Sequence, residues 1–98
     1  MSRIELAPEL ADDFERITSH LYEYDSDQAE SRIEGIIQAI DVLASNPCIG
    51  RPVEQGLREL VIGQGNKGYL ALYRYVEQID VVFVLAIRAE AESDYRSA

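Results

Sequence analysis

Basic residues are scarce in this 98-residue chain: nine lysines and arginines stand against eighteen aspartates and glutamates, a formal net charge of −9. Binding to nucleic acid through phosphate electrostatics draws on clustered Lys and Arg that release counterions. No direct binding of free nucleic acid is therefore expected, and a protein partner is. There is one cysteine, Cys48, which excludes an intrachain disulfide and suits a reducing compartment, so a cytoplasmic location is expected. There is one histidine, His20, so no metal cluster or Ser-His-Asp arrangement can be assembled, and no metal or cofactor is expected. No apolar run approaches the roughly 20 residues of a membrane span, and Met1-Ser2-Arg3-Ile4-Glu5 lacks the core of a signal peptide. No membrane association is expected. Glycine and proline are few and 47% of the residues are hydrophobic, the make-up of an ordered globule. The length allows one modest core, hence one domain over residues 1–98.

The acids are unevenly placed. Residues 1–45 hold eleven acids against Arg3, Arg16 and Arg32, a net of −8, whereas residues 46–98 hold seven acids against six bases, a net of −1. The second half is nearly balanced and carries most of the arginines.

Arg3-Ile4-Glu5-Leu6 alternates polar and apolar, which predicts a short strand with one wet face. Pro8 is suited to the first turn of a helix, with Glu9, Asp12 and Asp13 near the positive end of its dipole. Leu10, Phe14, Ile17, Leu21 and Tyr24 then fall in one stripe, predicting a helix from Pro8 to about Tyr24. Asp25-Ser26-Asp27 offers three possible N-caps. Ala29, Ile33, Ile36, Ile37, Ile40, Leu43 and Ala44 form a second stripe, and this helix should stop at Asn46, because Pro47 disfavours α geometry in the residue before it. So short a connection predicts an antiparallel two-helix hairpin.

Pro47 to Gly56 reads as a loop, followed by strands over Arg58 to Ile62, Tyr69 to Val76 and Val81 to Ile87, all rich in Leu, Val, Tyr or Phe. Glu77-Gln78-Ile79-Asp80 is short enough to close a hairpin. The fold class is α+β, with an N-terminal strand, a helical hairpin and three antiparallel strands. Gly63-Gln64-Gly65-Asn66-Lys67-Gly68 matches G-x-G-x-x-G, but a strand follows it where a dinucleotide site needs a helix N-terminus, so it reads as a hairpin loop. The helices cover one face of the sheet. No helix remains for the other, and an exposed apolar face there is expected to meet a partner.

His20 and Cys48 read as inert surface positions, Cys48 having no basic residue before Arg51 to activate it. Asp12, Asp13, Glu15, Glu23, Glu30 and Glu34 read as solvated helix faces. Arg58, Arg74 and Arg88 each punctuate an apolar strand, where a guanidinium must find a partner or reach the rim. They pair with Glu59, Glu77, Glu90 or Glu92, or they serve as a contact surface.

The run Asn46-Pro47, Gly50-Arg51-Pro52, Gly56-Leu57-Arg58-Glu59-Leu60-Val61, Gly68-Tyr69, Leu72-Tyr73-Arg74 and Val82-Phe83-Val84-Leu85-Ala86-Ile87-Arg88, set after a helical hairpin, resembles the RelE/ParE superfamily of toxins from bacterial type II toxin-antitoxin modules. The resemblance implies neutralisation by a cognate antitoxin whose C-terminal segment wraps the toxin, in a heterotetramer or larger assembly. RelE-type members cut messenger RNA in the ribosome with basic strand residues and a tyrosine near the C-terminus; ParE-type members poison DNA gyrase. Arg58 and Tyr95 match parts of the cleavage set. Glu59 and Val61, however, stand where RelE-type strands carry lysines, and Ala89-Glu90-Ala91-Glu92 replaces their basic segment. The resemblance therefore implies a ParE-like gyrase inhibitor and not an enzyme, with a RelE-like ribonuclease or a weakly toxic antitoxin-binding homologue as the alternatives. Arg58, Arg74, Arg88 and Tyr95 are the candidate contacts with partner or target.

Overall fold

A computed structural model of the chain describes residues 1–63, 68–92 and 95. The element order is β1 (Arg3–Leu6), α1 (Leu10–Tyr24), α2 (Ser26–Val42), β2 (Arg51–Pro52), β3 (Arg58–Ile62), β4 (Tyr69–Val76) and β5 (Val81–Ala89). Among the described residues these strands form one sheet in the order β1-β5-β4-β3-β2. The expected α+β arrangement of strand, two helices and three antiparallel strands is observed, with two additions. β1 lies parallel to β5, with Arg3 opposite Val81 and Leu6 opposite Val84, so the sheet is mixed. The two helices and β2 to β4 lie between these strands in the chain, ample length for the crossover that a parallel neighbour requires. Arg51–Pro52, expected as loop, is a short edge strand antiparallel to β3, a place where the missing amide of a proline does no harm.

Leu10, Ile17 and Leu21 of α1 pack with Ala29, Ile36 and Ile40 of α2 against Ile62, Ala71, Tyr73, Val82, Val84 and Ile87 of the sheet. α1 begins at Leu10 and not at Pro8, whose residue forms the turn before it, where the Leu10 amide donates to the Ala7 carbonyl at 3.0 Å. Asp25 alone separates the helices. Its non-helical backbone, φ −152° and ψ 51°, breaks the first helix, and its carboxylate makes no cap but faces Arg32 at 3.5 Å. α2 ends at Val42, short of Asn46, because the Leu43, Ala44 and Ser45 amides close tighter turns onto the Ile40, Asp41 and Val42 carbonyls. That winding turns Leu43 fully into the core.

β4 is buried on both faces, as its composition suggested. The outer face was expected to stay open for want of a helix, yet Leu70 and Leu72 on it are 2% and 7% exposed. Arg88 stands opposite Leu70 and Glu59 opposite Leu72 in the ladder, and Leu72 shares a cleft with Leu57 and Tyr95. Val61, on the Glu59 face of β3, stays 49% exposed, and further apolar surface is open elsewhere. It is a groove of about 680 Å³ between the end of β1 and the two helices, lined by Ile4, Leu6, Leu10, Phe14, Ile37 and Ile40 among others.

The hairpin between β4 and β5 closes through a short 3-10 turn ending at Asp80, which sits in the left-handed region with φ 52°. Its carboxylate accepts hydrogen bonds from Ser2 Oγ at 2.5 Å and Tyr75 OH at 2.7 Å, joining the N-terminus to the turn. Of the glycine-rich loop before β4, residues 64–67 lie outside the described residues; Tyr69 beyond it opens a strand. Among the described residues no helix is long and apolar enough to cross a membrane.

Candidate functional site

Glu59 is the hub of the outer sheet face. Strand alternation turns it away from the helices, and its pairing with Arg51 across β2 and β3 puts a guanidinium beside it. Arg51 Nε donates to Glu59 Oε1 at 3.0 Å, with Nη2 donating to the same oxygen. The other oxygen, Oε2, accepts the phenol proton of Tyr95 at 2.6 Å. Arg88 reaches the same place from β5, its guanidinium carbon 5.1 Å from the centre of the Tyr95 ring, a cation-π distance.

This arrangement sets the protonation states. Burial alone would push the Glu59 carboxyl up, but the hydrogen bonds from Tyr95 and Arg51 and the charges of Arg51 and Arg88 outweigh it and hold the group below the usual carboxylate range. Tyr95 is driven well above the ordinary phenol range, first by burial and then by the adjacent carboxylate. At neutral pH Glu59 is thus an anion and Tyr95 a proton-bearing donor. The bond from Glu59 also raises Arg51.

The four sequence candidates do not form one constellation. Arg88 and Tyr95 meet on the outer face, and Arg74 is exposed on a β4 position that alternates with inward Tyr73 and Tyr75. Arg58 points the other way. It lies opposite Tyr73 in the ladder, and its Nη1 donates to the carbonyls of Cys48 at 3.1 Å and Gly50 at 2.8 Å. The fully buried Tyr73 serves the same turn, donating to the Pro47 carbonyl at 2.8 Å while accepting the Gly50 amide at 2.8 Å. Arg58 therefore clamps the Pro47 to Gly50 turn from the core side. Among the described residues Arg88 Nη1 bonds the main-chain carbonyls of Ala89 and Glu92, and Arg51 is the arginine that pairs with Glu59.

Sequence reasoning missed a second polar cluster. Asp13, read as solvent-facing, is 1% exposed. Its Oδ2 accepts the Ile87 amide at 3.1 Å and its Oδ1 accepts Arg16 Nη1 at 2.9 Å. Arg16 continues to Glu92 Oε2 at 3.1 Å, and that oxygen also takes the Ala89 amide at 2.7 Å. The chain leaving β5, which carries Tyr95, is thereby tied to α1. A signal existed: Asp13 is three residues after Leu10 and four before Ile17, inside the apolar stripe. His20 and Cys48 are exposed, and among the described residues no group of three or more His, Cys, Asp or Glu is placed to hold a metal.

The comparisons with known proteins agree with this fold. The family of ParE toxins of type II toxin-antitoxin (parDE) systems matches residues 4–93. Toxin RelE3 of Caulobacter vibrioides is 29% identical over 92 residues, covering 94% of this chain and 98% of that protein. Among solved structures, a chain of the chromosomal ParDE toxin-antitoxin system from P. aeruginosa superposes with a TM-score of 0.74 at 22% identity, over 91% of this chain and 96% of its own. The free E. coli toxin RelE, in a mutant form, gives 0.64 at 15% identity over 93% and 86%; both likenesses speak to the fold. With nine-tenths of the sequence matched by one family, the chain belongs to the ParE toxins of type II toxin-antitoxin systems, within the RelE/ParE superfamily.

Proposed function

We propose that this toxin acts as a ParE-like inhibitor of DNA gyrase, without catalysis of its own, and is neutralised in the cytoplasm by a cognate antitoxin. The observation that carries the choice is the placement of Arg58 and Tyr95. They are the two residues that resemble parts of a ribonuclease set, yet Arg58 is spent on the Cys48 and Gly50 carbonyls on the core side while Tyr95 is bonded to Glu59 on the outer side. Groups on opposite faces of one sheet cannot converge on one phosphate. RNA cleavage also needs positive charge aimed at the developing anion, and here a carboxylate occupies that face.

The apolar groove between β1 and the helices is the place we assign to an antitoxin segment, since Leu6 and Ile37 on it are 59% and 46% exposed and open apolar grooves of this size mark binding sites. The likeness to Toxin RelE3 favours a second reading, ribosome-dependent cleavage of messenger RNA. Induction of the chain in cells, with DNA-damage signalling and translation followed separately, distinguishes the two. Gyrase inhibition predicts damage signalling before translation falls. An immediate arrest of translation without damage signalling would support the ribonuclease instead.

A further inference from the structure

We propose that Glu59 is a built-in counter-anion filling an oxyanion site made by Arg51, Arg88 and Tyr95, and that this site takes a phosphate-type oxyanion once the carboxylate is removed. The inference concerns what the face itself can bind, and it stands whichever macromolecule the toxin meets.

Three donors converge on one carboxylate: two N–H groups of Arg51 on Oε1 and the Tyr95 hydroxyl on Oε2. Guanidinium forks and hydroxyls are the groups that bind phosphate oxygens as readily as carboxylate oxygens. Arg88 adds positive charge that acts on both Glu59 and Tyr95. Its Nε is buried with no hydrogen-bond acceptor among the described residues, an unsatisfied donor of a kind folded proteins rarely keep. The carboxylate is the inner member of its pair, since the Glu59 side chain is 9% exposed and that of Arg51 62%. Loss of the Glu59 side chain would leave its donors facing a vacated volume. A cleft of about 540 Å³, lined by Val53, Leu57, Leu72 and Tyr95 together with Glu59 itself, leads to that volume.

Charges oppose such binding as well. Glu54 lines the cleft, Glu90 is close enough to act on Arg51, and the whole chain carries −9. Unspecific capture of an anion is therefore disfavoured, and binding that appears when one carboxylate is deleted must come from local donors.

The test uses the full chain and inorganic phosphate as probe, with calorimetry and the NMR signals of the arginine Nε–H groups as readouts. Glu59→Ala is expected to bind phosphate about tenfold or more tightly than the wild type, with shifts at Arg51 and Arg88. Glu59→Gln, which removes the charge and keeps the shape, should fall between the two. Arg51→Ala added to Glu59→Ala should abolish the gain. The inference is overturned if the folded variants bind phosphate no better than wild type, or if the gain survives Arg51→Ala. Should Glu59→Ala not fold, Glu59→Gln decides alone; failure of both to fold would show Glu59 to be a structural ion and not a plug.

Discussion

The amide of Gly50 donates to the hydroxyl oxygen of Tyr73 at 2.8 Å, and the two residues are so close that a methyl group on Gly50 would lie 2.6 Å from the Tyr73 ring. A glycine in the turn and a tyrosine in the central strand thus define one another. Gly50→Ala should destabilise the protein by about 1–3 kcal/mol, the range for an overfilled core. Tyr73→Phe, which leaves the Gly50 amide without its acceptor, should cost about 1–3 kcal/mol. Denaturant melts of both variants check this; two melts matching wild type would remove the turn from the core.

Arg58 and Arg74 should separate by role. Arg58→Ala strips two backbone carbonyls of a charged donor and is expected to cost about 1.5–3 kcal/mol. Arg74 is exposed, so Arg74→Ala should stay within about 0.5 kcal/mol of wild type and, as a contact with partner or target, should weaken toxicity or antitoxin binding. Thermal melts paired with a toxicity assay read both; an unstable Arg74→Ala or an unperturbed Arg58→Ala would reverse the assignment.

Asp13→Ala should be the most damaging of these changes. It leaves the Ile87 amide and Arg16 without the carboxylate they share in the interior, and breaking a buried charged pair costs about 3–5 kcal/mol. Asp12→Ala, one residue away on the exposed face, should fall within about 0.5 kcal/mol. Equal melting of the two variants would contradict the buried placement of Asp13.

Glu59 predicts a pH dependence of known sign. Its folded-state pKa lies below its ordinary value, so its contribution is fully present above the unfolded carboxyl pKa of about 4.3 and is lost as pH falls through the folded value. The stability difference between wild type and Glu59→Gln should be constant near neutrality and shrink on acidification below about pH 4. Denaturant titrations across that range check it; a gap that widens in acid would mean that the carboxyl is raised and not lowered.

The helices and long strands were legible because local signals specify them. The Leu10 to Leu21 stripe and the paired apolar runs each act within a few residues. What stayed hidden depends on contacts distant in sequence. Asp13 reads as one acid among many until Ile87 and Arg16 are seen around it. The two-residue β2 is too short for any periodicity, and it forms because Glu59 and Arg58 lie opposite Arg51 and Pro52. The candidate arginines were found, but their partners were not. That Arg58 serves a turn while Arg51 holds Glu59 follows from the register of β3, which no local pattern encodes.

The most direct measurement is a side-by-side assay of the purified toxin against gyrase on relaxed plasmid and against ribosomes translating a defined message, each with and without the cognate antitoxin. The ParE-like reading predicts loss of supercoiling or gyrase-dependent DNA breakage, relieved by the antitoxin, and an intact message. Cut message at defined positions with supercoiling unaffected would contradict it.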